Sequence, residues 1–305
     1  MRNEPRPFRW LKGAAAGLAV LGASLVALDG GEARAQTTTT LPPNILFMGE
    51  WNRLPATGSP NNWRYRQVWT NDRIRYLTDT TSPKRGVVGR IEVRPGDKVG
   101  GFSGERAEYL TMQDARGQPL PVTTQSGHEY YGIAIKVPTT WQSPQRSGSG
   151  TWGIFFQLHG PDNMRASPAI ALIAENDYRI QLDAGDLLDG GTRSSNRPPV
   201  KYAFTNGALN KGQWVQFMLD VVWSPTNTGY VAVYRRDQGQ TTWTRVFERR
   251  GTPTLQWRYR EAVGPHYWKA GFYRSPSSIT NVLYLGPVVR GRTFADVAMA
   301  AFGQR

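Results

Sequence analysis

Short runs of alternating apolar and polar residues recur along the chain from about residue 89, the period of a strand with one buried face. They predict strands over 89–93, 105–112, 130–137, 152–159, 169–174, 178–183, 214–223, 230–235, 267–273 and 281–289. Turn residues such as Pro95-Gly96-Asp97, Gly117, Gly185-Asp186 and Asn227 to Gly229 punctuate them. Only 293–302 carries a helical pattern, and the Trp-, Arg- and Pro-rich segment 51–69 reads as an ordered surface loop with a short strand. Many short strands, with no repeat and no second domain, predict an all-β sandwich or jelly roll.

Three of these strands set polar side chains on one face. In Tyr267-Trp268-Lys269-Ala270-Gly271-Phe272-Tyr273-Arg274, alternation gives a wet face of Tyr267, Lys269, Gly271 and Tyr273, with a glycine gap, and a core face of Trp268, Ala270 and Phe272. In 152–159, strict alternation sets Gly153, Phe155, Gln157 and His159 against Ile154, Phe156 and Leu158. In 105–110, Arg106 and Glu108 share a face opposite Ala107 and Tyr109. If the three strands lie in one sheet, Arg106, Gln157, His159, Lys269 and Tyr273 line one concave surface.

Composition adds a class of partner. The 305-residue chain has 37 Lys and Arg against 23 Asp and Glu, a formal net charge of +14. A basic start (Arg2, Arg6, Arg9, Lys12), an apolar run over 13–28 and Ala33-Arg34-Ala35 fit a secretory signal peptide cleaved near Ala35. The run is short for a membrane span, and an uncleaved anchor is the alternative. Residues 36–50 then read as a Thr/Pro-rich linker and 51–305 as the folded domain. Loss of the leader, 1–35, removes five cations and three anions and leaves +12 on 270 residues. That charge calls for a polyanionic partner, and export selects an acidic polysaccharide over nucleic acid or a membrane surface. A monomer is the expected state. The absence of cysteine excludes thiolate zinc sites and thiol catalysis, and a large core must supply the stability that disulfides give other exported proteins.

The converging residues suit one reaction. β-Elimination in a uronate polymer removes the C5 proton beside a carboxylate, stabilises the charge that develops there and protonates the departing O4. Arg, Gln and neutral His can donate to the carboxylate. His or Tyr can act as base and Tyr as acid, and a cation such as Lys269 or Arg106 helps a phenol lose its proton. Arg106-Ala107-Glu108-Tyr109 resembles the Arg-Ser-Glu-Leu motif of alginate lyases of polysaccharide lyase family seven. Gln157-Leu158-His159 resembles their Gln-Ile-His, and 267–274 their Tyr-Phe-Lys-Ala-Gly-Val-Tyr-Asn, in the same order. Gly127-His128-Glu129-Tyr130-Tyr131, Ser167-Pro168-Ala169, and 214–223 followed by Gly229-Tyr230-Val231 are closer to the heparin lyase I and glucuronan lyase group.

The resemblance covers about residues 89–289. It implies a concanavalin-like β-jelly roll, two sheets with a concave substrate groove, and metal-independent elimination without a cofactor. It puts Arg106, Gln157, His159 and Tyr273 at catalytic positions and Lys269 in the binding face, where Tyr267, Glu108 and Arg274 are read as further substrate-binding residues. The chain departs from the motifs at Ala107, Tyr109 and Arg274-Ser275, positions expected to touch substrate selection. Glucuronan, alginate and heparin-like chains all present the required carboxylate.

Plainer readings compete at each position. His159 alone reads as a core histidine, but Gln157 on its face and the turn at Gly160 favour a site. Arg106 and Glu108 can be a solvated ion pair of little energetic value, the preferred reading for Glu108 taken alone. Trp51, Trp63 and Trp69 suit core packing as well as sugar stacking, and His128 and His266 read as structural or rim residues. Asp183, Asp186 and Asp189 read as a solvated acidic loop, with a structural calcium ion as the alternative. A glycoside hydrolase needs two carboxylates. Glu175-Asn176-Asp177 begins a laminarinase-type Glu-x-Asp-x-x-Glu, but Ile180 stands where the last Glu belongs. A non-catalytic module for acidic glycans would keep Arg, Lys and aromatics without needing Gln157, His159 and Tyr273 together.

Overall fold

The computed structural model describes residues 40–100, 104–121, 127–144, 151–160, 167–186, 188–189, 192–193, 199–257 and 266–303. The predicted leader and the first residues of the predicted linker lie outside them. The strands run β1 (Ile45–Gly49), β2 (Trp63–Val68), β3 (Ile74–Asp79), β4 (Gly86–Val93), β5 (Glu105–Met112), β6 (His128–Lys136), β7 (Gly153–His159), β8 (Ile170–Ala174) and β9 (Tyr178–Leu182). Three two-residue pieces follow, β10 (Gly185–Asp186), β11 (Leu188–Asp189) and β12 (Thr192–Arg193). Then come β13 (Val200–Ala203), β14 (Trp214–Val222), β15 (Tyr230–Asp237), β16 (Thr244–Arg250), β17 (Gln256–Trp257), β18 (Tyr267–Arg274), β19 (Asn281–Leu285), β20 (Val288–Gly291) and the helix α1 (Phe294–Phe302).

Two antiparallel sheets form the sandwich expected of a jelly roll. One has seven strands in the order β13-β9-β8-β7-β18-β5-β2; the other has nine, β16-β15-β14-β6-β19-β4-β3, with β20 joined to β6 and β1 to β20. Between them lies a core drawn from the inward faces of both, including Phe156, Leu158, Leu172, Phe217, Val233, Trp268 and Leu283. Each such side chain contributes about 1.5–3 kcal/mol by leaving water. Trp268 sits in a nest of rings, 4.8 Å from both Tyr131 and Phe156, which anchors β18 from behind.

The outer face of the nine-stranded sheet is covered by α1, whose Val297, Ala298, Ala301 and Phe302 pack on Val88, Ala134, Trp214 and Met218. The Thr293 side chain caps its N-terminus by accepting from Asp296 N, and Gly303, in the left-handed conformation, ends it. The last predicted strand, 281–289, is two strands. The break falls at Gly286-Pro287, and β19 and β20 pair with different parts of β6. The segment expected as a linker ends in structure: β1 lies within it and pairs with β20.

Candidate active site

β18 lies between β5 and β7 in the seven-stranded sheet, so the three polar strands are neighbours. Tyr273 stands opposite Arg106, Lys269 opposite Gln157 and Tyr267 opposite His159. The sheet is not a regular lattice here. β7 carries an extra residue against β8 between Ile154 and Phe156, and β18 an extra residue against β7 between Ala270 and Tyr273. The first bulge turns Phe155 into the core beside Phe156, and Ile154 instead joins Ala171, Ile173 and Trp152 in a separate apolar cluster. Strict alternation, which put Phe155 on the face of Gln157 and His159, fails at that point.

The second bulge depends on Gly271. Its φ is 151°, and a Cβ there would lie 2.2 Å from Ala107 O and 2.6 Å from Glu108 Cα. The gap expected to admit a ligand is therefore filled by the backbone of β5.

The polar side chains form one connected floor. Arg106 Nη1 donates to Gln67 Oε1 at 3.0 Å, and Lys269 Nζ donates to the same oxygen at 3.4 Å. Gln157 Nε2 donates to Glu108 Oε1, while Glu108 Oε2 lies 3.6 Å from Arg106 Nη1. Arg106, Glu108, Gln157 and Lys269 are at most 3% exposed. Hydrogen bonds to ionised groups at such burial are stronger than in water, and they fix the orientation of each donor. The bond from Gln157 to Glu108 settles which end of the amide faces inward and leaves a second N–H on the same nitrogen.

Half-buried aromatic residues stand at the two ends of this floor. The Tyr273 ring lies under the Arg106 guanidinium, 3.7 Å from its centroid, and meets Trp152 edge-on at 4.3 Å. Gly104 leaves room for both rings, since a Cβ there would come within 2.5 Å of each. At the other end His159 stacks on Tyr267 at 5.0 Å, and Lys269 Nζ lies 5.4 Å from the same ring. His159 Nδ1 meets Gly160 O at 2.7 Å. A carbonyl can only accept, so Nδ1 carries the proton and the neutral ring has its lone pair on Nε2.

Three expectations need correction. Glu108, as buried as its neighbours, spends its carboxylate within the floor, where Oε1 accepts from Gln157 and Oε2 faces Arg106. Arg274 is fully buried on the core side of β18, donating to Glu105 at 2.8 Å and to Asn281 Oδ1, and desolvation lowers its pKa. The motif departures lie on that side too. Ala107 and Tyr109 belong to the core, with Tyr109 sharing a hydrogen bond with Tyr76, and Ser275 N donates to Trp152 O. None of these residues is placed to choose a substrate directly.

Gln67 and Trp152, which the motifs did not single out, are part of the constellation. Trp51 and Trp63 are core residues, while Trp69 is 59% exposed. His128 pairs with Asp220 in the other sheet, and His266 is buried and accepts from Gln256 N. Glu175 is paired with Lys201 and Asp177 with Arg179. Among the described residues no three of His, Cys, Asp and Glu are placed to hold a metal ion, and the side chains of Asp186 and Asp189 lie outside those residues.

A family model described as "Polysaccharide lyase" matches residues 55–288. No curated protein matches the chain in sequence. Among solved structures, an endo-β-1,4-glucuronan lyase from the fungus Trichoderma reesei is similar at 16% identity and a TM-score of 0.56, over 82% of this chain and 98% of its own. That likeness shows a shared fold. A β-glucanase catalytic domain from Podospora anserina is 13% identical over 77% of this chain and 86% of its own, at a TM-score of 0.47. A marine alginate lyase from Aplysia kurodai is 10% identical over 76% and 92%, at 0.45.

Proposed function

Because the chain belongs to the polysaccharide lyase family, we propose that it cleaves a uronate-containing polymer by β-elimination on the face of the seven-stranded sheet that carries Arg106 and Tyr273. One observation carries this reading: the Tyr273 ring lies against the Arg106 guanidinium, with Gln157 and Lys269 on the same floor. A carboxylate seated on Arg106 and Gln157 has its C5–H beside a phenol. Arg106, Gln157 and Lys269 then stabilise the negative charge that grows on the carboxylate as the proton leaves.

The register bears on which residue moves the proton. Tyr273 and Tyr267, the residue opposite His159, are six positions apart along β18, with the bulge between them. Tyr273 is therefore the acid–base group next to the carboxylate receptor. As the phenolate it takes the C5 proton, and as the phenol so formed it hands a proton to the departing O4, which restores the phenolate; the route is open when the two lie on the same side of the sugar, as in D-glucuronate and D-mannuronate units. His159 and Tyr267 bind the neighbouring sugar. In the second reading His159, with its lone pair on Nε2, is the base for the opposite epimer and Tyr273 the acid.

The basic and apolar start with Ala33-Arg34-Ala35 supports export, and the net charge of +14 supports a polyanionic substrate. All the residues of the mechanism come from one chain, so one copy suffices, and none of the steps calls on a cofactor. The test is a panel of glucuronan, polymannuronate, polyguluronate and heparin, followed by ultraviolet absorbance of the new C4–C5 double bond. Tyr273→Phe should lose at least ~10² in kcat with its melting temperature kept, and His159→Gln should keep substantial activity on glucuronan. Full activity in Tyr273→Phe sinks the mechanism. Binding with no unsaturated product from any polymer would make the groove a glycan-binding surface.

A further inference from the structure

We infer that Gln67 is a positioning residue that sets the spacing and the charge of the carboxylate receptor; the inference rests on the lyase reading above. Gln67 comes from β2, the outer strand of the groove sheet, where it stands opposite Glu108. Its single carbonyl oxygen accepts from Arg106 on β5 and from Lys269 on β18, and so ties together cations from two different strands. The tie holds both donors at the floor, beside the residue that they must hand a substrate to.

The chemistry of that acceptor is the informative part. A carboxylate at position 67 could accept from the same two donors and would bind them more tightly, since each bond would then join two opposite charges where it now joins a charge and an amide dipole. The amide gives the same geometry and adds no charge. Glu108 already supplies one carboxylate to this cluster. A second at position 67 would set two anions against Arg106 and Lys269, occupy the donors and repel an incoming uronate. The neutral acceptor therefore gives up stability and keeps the positive potential that a carboxylate ligand needs, a trade expected of a functional position.

The experiment compares Gln67→Glu with Gln67→Met in the full chain. Gln67→Glu should melt at or above the wild-type temperature while kcat/KM falls by about 10²-fold, the size of the loss when one oxyanion donor is removed. Gln67→Met removes the tie without adding charge and should cost about tenfold, the value of one hydrogen bond to a charged group. A residue that mattered for packing alone would move stability and activity in the same direction.

A loss in Gln67→Glu no larger than in Gln67→Met overturns the inference and leaves the lyase reading standing. A Gln67→Glu protein that melts well below wild type also overturns it, because the two cations would then not be gripping the side chain. If the wild type yields no unsaturated product from the panel, the lyase reading fails first. Gln67 is then judged on calorimetric binding of heparin at fixed salt: weaker binding by Gln67→Glu than by Gln67→Met supports a carboxylate receptor, and equal binding refutes it.

Discussion

Arg274 follows Tyr273 by one residue and points through the sheet to the other side, where Glu105 Oε2 and Asn281 Oδ1 receive its guanidinium. Arg274→Met should therefore damage the fold and spare the groove. Breaking a buried pair from one side costs about 3–5 kcal/mol, here because Glu105 keeps its charge with fewer partners. Thermal unfolding should show that loss, while KM at a temperature where the variant is folded stays at the wild-type value. A raised KM with unchanged melting would return Arg274 to the groove. Arg106, Gln157, Lys269 and Tyr273 were legible in the sequence because two-residue alternation holds locally around each of them. Gln67 was not, since Trp-Arg-Tyr-Arg-Gln-Val carries no motif and its role appears only when β2 pairs with β5.

At the level of elements, residue alternation marks the central strands and misses most of the outer ones. β5 was predicted with its observed ends, whereas β3, β13 and β16, each an outer strand, were not predicted. An outer strand has a weak apolar period because only part of it is covered: in β16 the buried residue is Val246, among Arg245, Glu248, Arg249 and Arg250. The bulges were equally invisible, because an extra residue leaves no mark on residue type; the one in β7 turns Phe155 inward, while the one in β18 leaves the faces of Lys269 and Tyr273 as alternation gives them. Gly271→Ala tests the more consequential one. A side chain at φ 151° and 2.2 Å from Ala107 O forces β18 and β5 apart. The variant should lose about 1–3 kcal/mol from backbone strain, read by denaturant unfolding, and most of its activity with it, since Arg106 and Tyr273 face each other across that contact. An active, equally stable Gly271→Ala would mean that the bulge is not needed to set the register.

At the scale of the whole molecule, acid stability is set partly by Asp79 at the end of β3. Burial works to raise its pKa. Hydrogen bonds from Lys136 on β6 and from Thr81 outweigh that and hold it at about 2, below the ordinary 3.8. Trp214 Nε1 on β14 reaches the same carboxylate at 3.3 Å, so the group ties three strands of the nine-stranded sheet together. A depressed carboxyl stabilises the fold fully above its unfolded pKa, and that contribution disappears as pH falls from 3.8 through 2. Asp79→Asn should melt lower at neutral pH and show a shallower loss of melting temperature across that window, measured by circular dichroism. A variant with the wild-type slope would assign the acid limb to other carboxylates.

The outer strands have a consequence beyond the single particle. β16 ends one sheet with Arg245, Arg249 and Arg250 around a single Glu248, a net positive edge; β3 ends it on the other side with Arg75, and β2 ends the groove sheet with Arg64 and Arg66. A long polyanion gathers many copies of a cationic protein along one thread. Where neighbours touch there by these strands, cation meets cation, and the open backbone of one sheet is kept from extending the sheet of the next. The basic outer strands therefore work against edge-to-edge pairing between copies crowded on one polyanion.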